Sequence, residues 1–165
     1  MESISVETTI HRGVGKVWEM FTEPKDIVKW NYPSDEWECP YAKNDFKINK
    51  RFVFRMMTKD KKTCFNFTGT YKEIITGKSI TYMFDDRRKV TITFEKIKGD
   101  TTKVIETFNP ERNNSVDMQR NSWQAILDNF KKYVEANSEM TKVADTVSTG
   151  SGAIVSSDDV DVWIN

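Results

Sequence analysis

A chain of 165 residues with 25 acidic and 25 basic side chains is sized for one domain and carries no net charge. That balance gives no pull toward nucleic acid or an anionic membrane surface, so neither is expected as a partner. No run approaches the roughly 18 apolar residues of a membrane span, the N-terminus has no secretory pattern, and Cys39 and Cys64 form no C-x-x-C pair, so the expectation is a soluble cytoplasmic protein with two ordinary thiols.

In chain order, ISVETTI alternates, with Ile4, Val6, Thr8 and Ile10 on one face, and predicts a half-buried strand. Gly13 and Gly15 break it. Val14, Val17, Trp18 and Phe21 then recur at helical spacing, and Pro24 ends that helix and opens a second short one through Ile27, Val28 and Trp30. EWECPYA carries Pro40 and reads as an edge strand or a loop. KRFVFRMM places Phe52, Phe54 and Met56 on one face, and TCFNFTGTYKEII alternates through Phe65, Phe67, Gly69 and Tyr71. SITYMF groups Ile80, Tyr82 and Phe84; VTITFEKI groups Val90, Ile92 and Phe94; TTKVIETF completes the set. The turns between them are short and polar: KDKK, TGK, DDRRK and KGD. Consecutive strands with such turns predict an antiparallel meander, whose twist curls it and leaves a concave face to be covered.

SVDMQRNSWQAILDNFKKYVEANSEM supplies the cover. Trp123, Ile126, Leu127, Phe130 and Val134 follow the spacing of one helical face, and Ser115 is the expected N-cap. From 115 to 137 the helix spans roughly 34 Å at 1.5 Å per residue. Residues 1–137 are read as one domain. Residues 138–165, rich in Ser, Thr, Gly and Asp with a net charge of −4, are read as an acidic tail. Its last stretch, with Val160, Val162 and Ile164, has the alternation of a strand that adds to a sheet edge.

This order of elements resembles the helix-grip fold of the START-like (SRPBCC) superfamily, an α+β architecture in which a curled antiparallel sheet of about six to seven strands wraps a long C-terminal helix. Local sequence resembles the activator of heat-shock-protein ATPase homologue-like family within it. The residues that carry the likeness are Val17, Trp18, Pro24 and Trp30 near the start, then Gly69, Glu73 and Ile74. The paired strands VTITFEKIKGDTTKVIETF and the closing SWQAILDNFKKYVE extend it. The resemblance spans about residues 3–137. The chain departs from the family pattern at Asn49-Lys50, where many members carry Gly-Gly, and at Ser122, where Gly often precedes the helix Trp.

The resemblance implies a cavity between sheet and helix that takes a small hydrophobic or amphipathic ligand. Trp30, Phe54 and Phe67 are expected to line it from below, and Met118, Ser122, Trp123 and Ile126 from the helix. Core filling is the plainer role for such a stripe of aromatic and methionine side chains, and methionine adapts to varied ligand shapes. Phe130, Tyr133 and Val134 are expected to anchor the C-terminal half of the helix. The family name implies a second function, an interaction module that stimulates a chaperone ATPase.

Catalytic signals are sparse. His11 is the sole histidine and stands without partners at ligand spacing, so a surface role is expected and no metal. No phosphate, dinucleotide or nucleophile-elbow motif occurs, and no cofactor is expected. Glu106 is the one candidate acid or base. If Val104 and Phe108 point inward, Glu106 points inward with them, and burial would raise its pKa. If Ile105 points inward instead, Glu106 is solvated. Both registers are open at this level, and a cyclase- or hydrolase-like activity rests on the first.

Overall fold

The computed structural model describes the backbone of residues 2–144 and the side chains of residues 2–137. The elements follow in the order β1 (Ile4–Ile10), α1 (Val14–Thr22), α2 (Pro24–Trp30), β2 (Trp37–Asn44), β3 (Arg51–Thr58), β4 (Cys64–Ile75), β5 (Ser79–Met83), β6 (Lys89–Ile97), β7 (Thr101–Phe108) and α3 (Val116–Ala144). The strands form one antiparallel sheet in the order β1-β7-β6-β5-β4-β3-β2. β2 to β7 are a plain meander, and β1 returns to pair with β7. Because β1 and β2 lie on opposite edges, the α1–α2 connection must cross the open side of the curl. The result is the helix-grip architecture, a curled half-barrel closed by a long helix.

Local chemistry explains the shape. β2 is an edge strand, and its register shifts between Glu38 and Tyr41, beside Pro40, which has no N–H to donate to a ladder. A second shift, between Tyr71 and Glu73, bends β4 against β5. Gly69 sits opposite Phe52 on β3, and a Cβ there would lie 2.7 Å from two carbons of the Phe52 ring. Only glycine lets that ring lie flat on the neighbouring strand. Asn49 has φ +68°, a left-handed conformation that asparagine tolerates better than most residues.

The side chains of α3 are described to residue 137, and the core gathers along the C-terminal half of that stretch. Leu127, Phe130 and Val134 are completely buried against Ile10, Val17, Ile27 and Val104. Polar ties fix the helix axis. Asn129 Nδ2 donates to the Trp30 carbonyl at 2.8 Å, and the Tyr133 hydroxyl donates to Asp26 Oδ1 at 2.5 Å. Burial pushes the Asp26 carboxyl above its ordinary range. The N-cap is Ser115, whose Oγ accepts from the Met118 N–H at 3.0 Å. Gln119 orders the entry loop: its amide donates to the Glu111 and Asn114 carbonyls and accepts from the Glu111 N–H.

α3 runs on to Ala144, past the expected end at residue 137, because NSEMTKVA contains no Pro or Gly to stop it. The strand expected at Val160, Val162 and Ile164 lies outside the described residues. Cys39 and Cys64 are free thiols, the first buried and raised to about 12 by desolvation, the second exposed.

Candidate functional site

The straight helix and the curled sheet cannot touch along their whole length. They meet at the C-terminal half of α3 and separate at its N-terminal half, which leaves a cavity of about 780 Å³. Aromatic rings form the largest part of its apolar wall. Phe52 and Phe54 stack at 4.7 Å between ring centroids, Phe54 and Phe67 at 6.4 Å, and Phe67 meets Phe84 edge-on at 5.0 Å. On the helix side Trp123 lies over Phe108 at 3.9 Å with the planes only 14° apart. Phe67 and Trp123 face each other at 6.1 Å, so at that point the two walls nearly close.

The seven residues expected to line a cavity all border this one: Trp30, Phe54, Phe67, Met118, Ser122, Trp123 and Ile126. They are not equivalent. Trp30 is buried at the inner end, stacked on Phe21 and touching Phe130, with its indole N–H given to the Met20 carbonyl. Phe54, Phe67, Trp123 and Ile126 are half-buried wall residues. Met118 is 56% exposed and Ser122 is also exposed, so both stand at the mouth. Of the wider aromatic stripe, Phe94 belongs to the core instead, held edge-on by Trp18 and Phe21.

The register of β7 resolves the two alternatives left open for Glu106. Thr102, Val104, Glu106 and Phe108 form the buried face, and Ile105 lies on the other. Glu106 sits between Val6 on β1 and Ile92 on β6, both buried aliphatics. It is 7% exposed and borders the cavity. Among the described residues no group hydrogen-bonds its carboxyl, and desolvation alone raises its pKa to about 8. Tyr82, also buried and lining the cavity, is held well above the ordinary phenol range by burial and then by Glu106. Asn66 shares its strand position with Arg55, on the face opposite Phe54 and Phe67, and its Oδ1 is buried.

Several cavity residues escaped the sequence reading. Asn31 and Gln119 are buried polar lining groups with no periodic signal to mark them. The DDRRK turn reads as a solvated hairpin tip, yet Asp85, Asp86 and Arg88 also form part of the rim. Arg88 donates from Nε to Asp86 Oδ2 at 2.7 Å and lies 4.7 Å over the Phe84 ring. His11 is exposed, and among the described residues no cluster of His, Cys, Asp or Glu has metal-binding geometry.

Comparison with known proteins places these features in a family. The family model described as "Activator of Hsp90 ATPase homolog 1-like protein" matches residues 13–135. The chain is 35% identical to an AHSA1-like protein from Aeromonas hydrophila, covering 82% of this chain and 94% of that one, with a TM-score of 0.77. It is 42% identical to a protein from Cytophaga hutchinsonii, over 83% and 94% of the two chains, with a TM-score of 0.70. A protein from Nitrosomonas europaea shares the fold at 13% identity, with a TM-score of 0.72 over 84% and 97% of the chains. No curated protein matches the chain.

Proposed function

Since the chain belongs to the activator of Hsp90 ATPase homolog 1-like family, within the START-like superfamily, we propose that it binds a small hydrophobic or amphipathic ligand between its sheet and α3. The observation that supports this reading is the cavity of about 780 Å³, which falls in the roughly 300–1,000 Å³ range of small-molecule sites. Its lining combines aromatic and aliphatic side chains with polar groups, which suits a ligand with an apolar body and a polar part. The mouth at Met118 and Ser122 gives a path for entry. A cytoplasmic location goes with this reading. Among the described residues no helix is long and apolar enough to cross a membrane.

The test is native mass spectrometry of the purified chain together with a thermal-shift screen of lipids and aromatic compounds. A bound species, or a melting point that rises with ligand as about 2.7 kcal/mol at a hundred times Kd requires, is the expected outcome. A chain that carries nothing and responds to none of the screen contradicts the reading.

A second reading has one observation in its favour. Phe65 and Met118 are large apolar side chains that are exposed and border the same cavity, and Val116 is exposed two residues from Met118; the family name points to a chaperone as partner. Stimulation of a chaperone ATPase by the wild-type chain, reduced in Met118→Asp, is the result that supports it. No binding to the chaperone rules it out.

A further inference from the structure

The polar content of the cavity is unbalanced. Its lining holds four carboxyls, Asp85, Asp86, Glu106 and Glu111, against one base, Arg88, and Arg51 from outside the lining pairs with Asp85. Arg88 is already engaged with Asp86 and with the Phe84 ring at the rim. Farther in, the lining carries no positive charge. Val6 on β1 and Ile92 on β6 flank Glu106, and Phe21, Thr22 and Trp30 from α1 and α2 and Gln119, Trp123 and Ile126 from α3 line the same cavity. The remaining titratable neighbours are the phenols of Tyr71 and Tyr82, both raised by burial. Glu106 is more than nine-tenths buried and lacks a hydrogen-bond partner among the described residues. No hydrogen bond to the Tyr82 hydroxyl occurs among them either.

An isolated buried carboxyl is costly unless something pairs with it. A carboxylate ligand would find no cation among the inner lining residues and would meet the Glu106 carboxyl itself. A neutral alcohol can hydrogen-bond to the protonated carboxyl but cannot balance the charge it carries once ionised. An ammonium brings donors and the missing charge together, and charge-assisted hydrogen bonds are about twice as strong as neutral ones. We infer that the ligand is an amine on an apolar body, with its ammonium seated against the Glu106 carboxylate. This deepens the ligand-binding reading and rests on it.

Binding then has a proton signature. Where Glu106 begins protonated, the incoming ammonium displaces that proton to solvent, and Glu106 ends as the carboxylate of an ion pair. With a free carboxyl titrating at about 8, decylammonium should bind roughly 50-fold tighter at about pH 8 than at about pH 6. Displacement of the neutral dye N-phenyl-1-naphthylamine from the full chain measures this against decanol and decanoate. The expected order is amine first at about pH 8, with decanoate weakest. Glu106→Gln should keep the dye, lose at least about tenfold in amine affinity, and lose the pH slope. Decanol or decanoate binding as tightly as the amine, or an amine affinity that is flat across the two pH values, overturns the amine assignment and leaves the cavity reading standing. A dye that does not enter the wild-type chain overturns both.

Discussion

The two halves of α3 belong to one helix but live in different surroundings. The C-terminal half, from Leu127 to Val134, is sealed: Leu127, Phe130 and Val134 have no meaningful exposure. The N-terminal half, from Met118 to Ile126, has one wall of a cavity in front of it and solvent behind. Both halves carry apolar residues at helical spacing, so periodicity alone does not tell them apart. The difference is geometric. A curled sheet and a straight helix touch in one region and diverge in another, and whatever residues occupy the divergent region become lining. The same kind of side chain therefore stabilises the fold in one half and faces a space in the other.

Substitutions should separate the halves by size of effect. Phe130→Ala should destabilise most, by about 3–5 kcal/mol, because it leaves a cavity in the sealed half; denaturant unfolding measures it. A loss below about 1 kcal/mol would mean that this half is no better packed than the other.

The next largest effect concerns the carboxyl in the open half. Glu106 titrates at about 8 in the folded protein against an ordinary 4.5, so the folded state holds its proton more tightly than the unfolded one. The associated stability is fully present below about pH 4.5 and is lost as pH rises toward 8, by on the order of 5 kcal/mol at most. Glu106→Gln should remove this slope and raise the melting temperature above pH 8. A variant whose stability tracks the wild type across that window would show that Glu106 does not sit as an isolated acid.

Gly69→Ala places a methyl against the Phe52 ring and should cost about 1–3 kcal/mol. It also narrows the aromatic wall, so thermal unfolding and dye binding should fall together. Smallest of all, Met118→Ala and Ser122→Ala at the mouth should leave unfolding within about 0.5 kcal/mol of wild type, while Met118→Ala changes dye entry. If instead it destabilises like Phe130→Ala, the contrast between the halves fails.

Much of the architecture was readable because strands and helices announce their period. Alternation found the half-buried strands, the polar turns set the meander, and the i, i+3, i+4, i+7 spacing of Trp123, Ile126, Leu127 and Phe130 gave α3 its face. Asn31 and Gln119 were not legible, since single polar residues carry no period. Their burial follows from contacts that no local period encodes, such as the bond from Asn31 Nδ2 to Met56 Sδ, 25 residues on. The length of α3 was read short because the tail's composition changes before the helix-forming residues end.

The sequence by itself determined the kind, order and apolar faces of the elements, since these depend on neighbours a few residues apart. It left Glu106 with two orientations, because a shift of one residue in the face assignment turns every side chain of a strand over. Only tertiary structure chose between them: β7 lies between β1 and β6, and Val6 and Ile92 flank Glu106 on the buried face. Tertiary structure also decided that Trp123 and Ile126 line a space while Phe130 fills one. That outcome depends on where a bent sheet parts from a straight helix, a distance that local patterning does not encode.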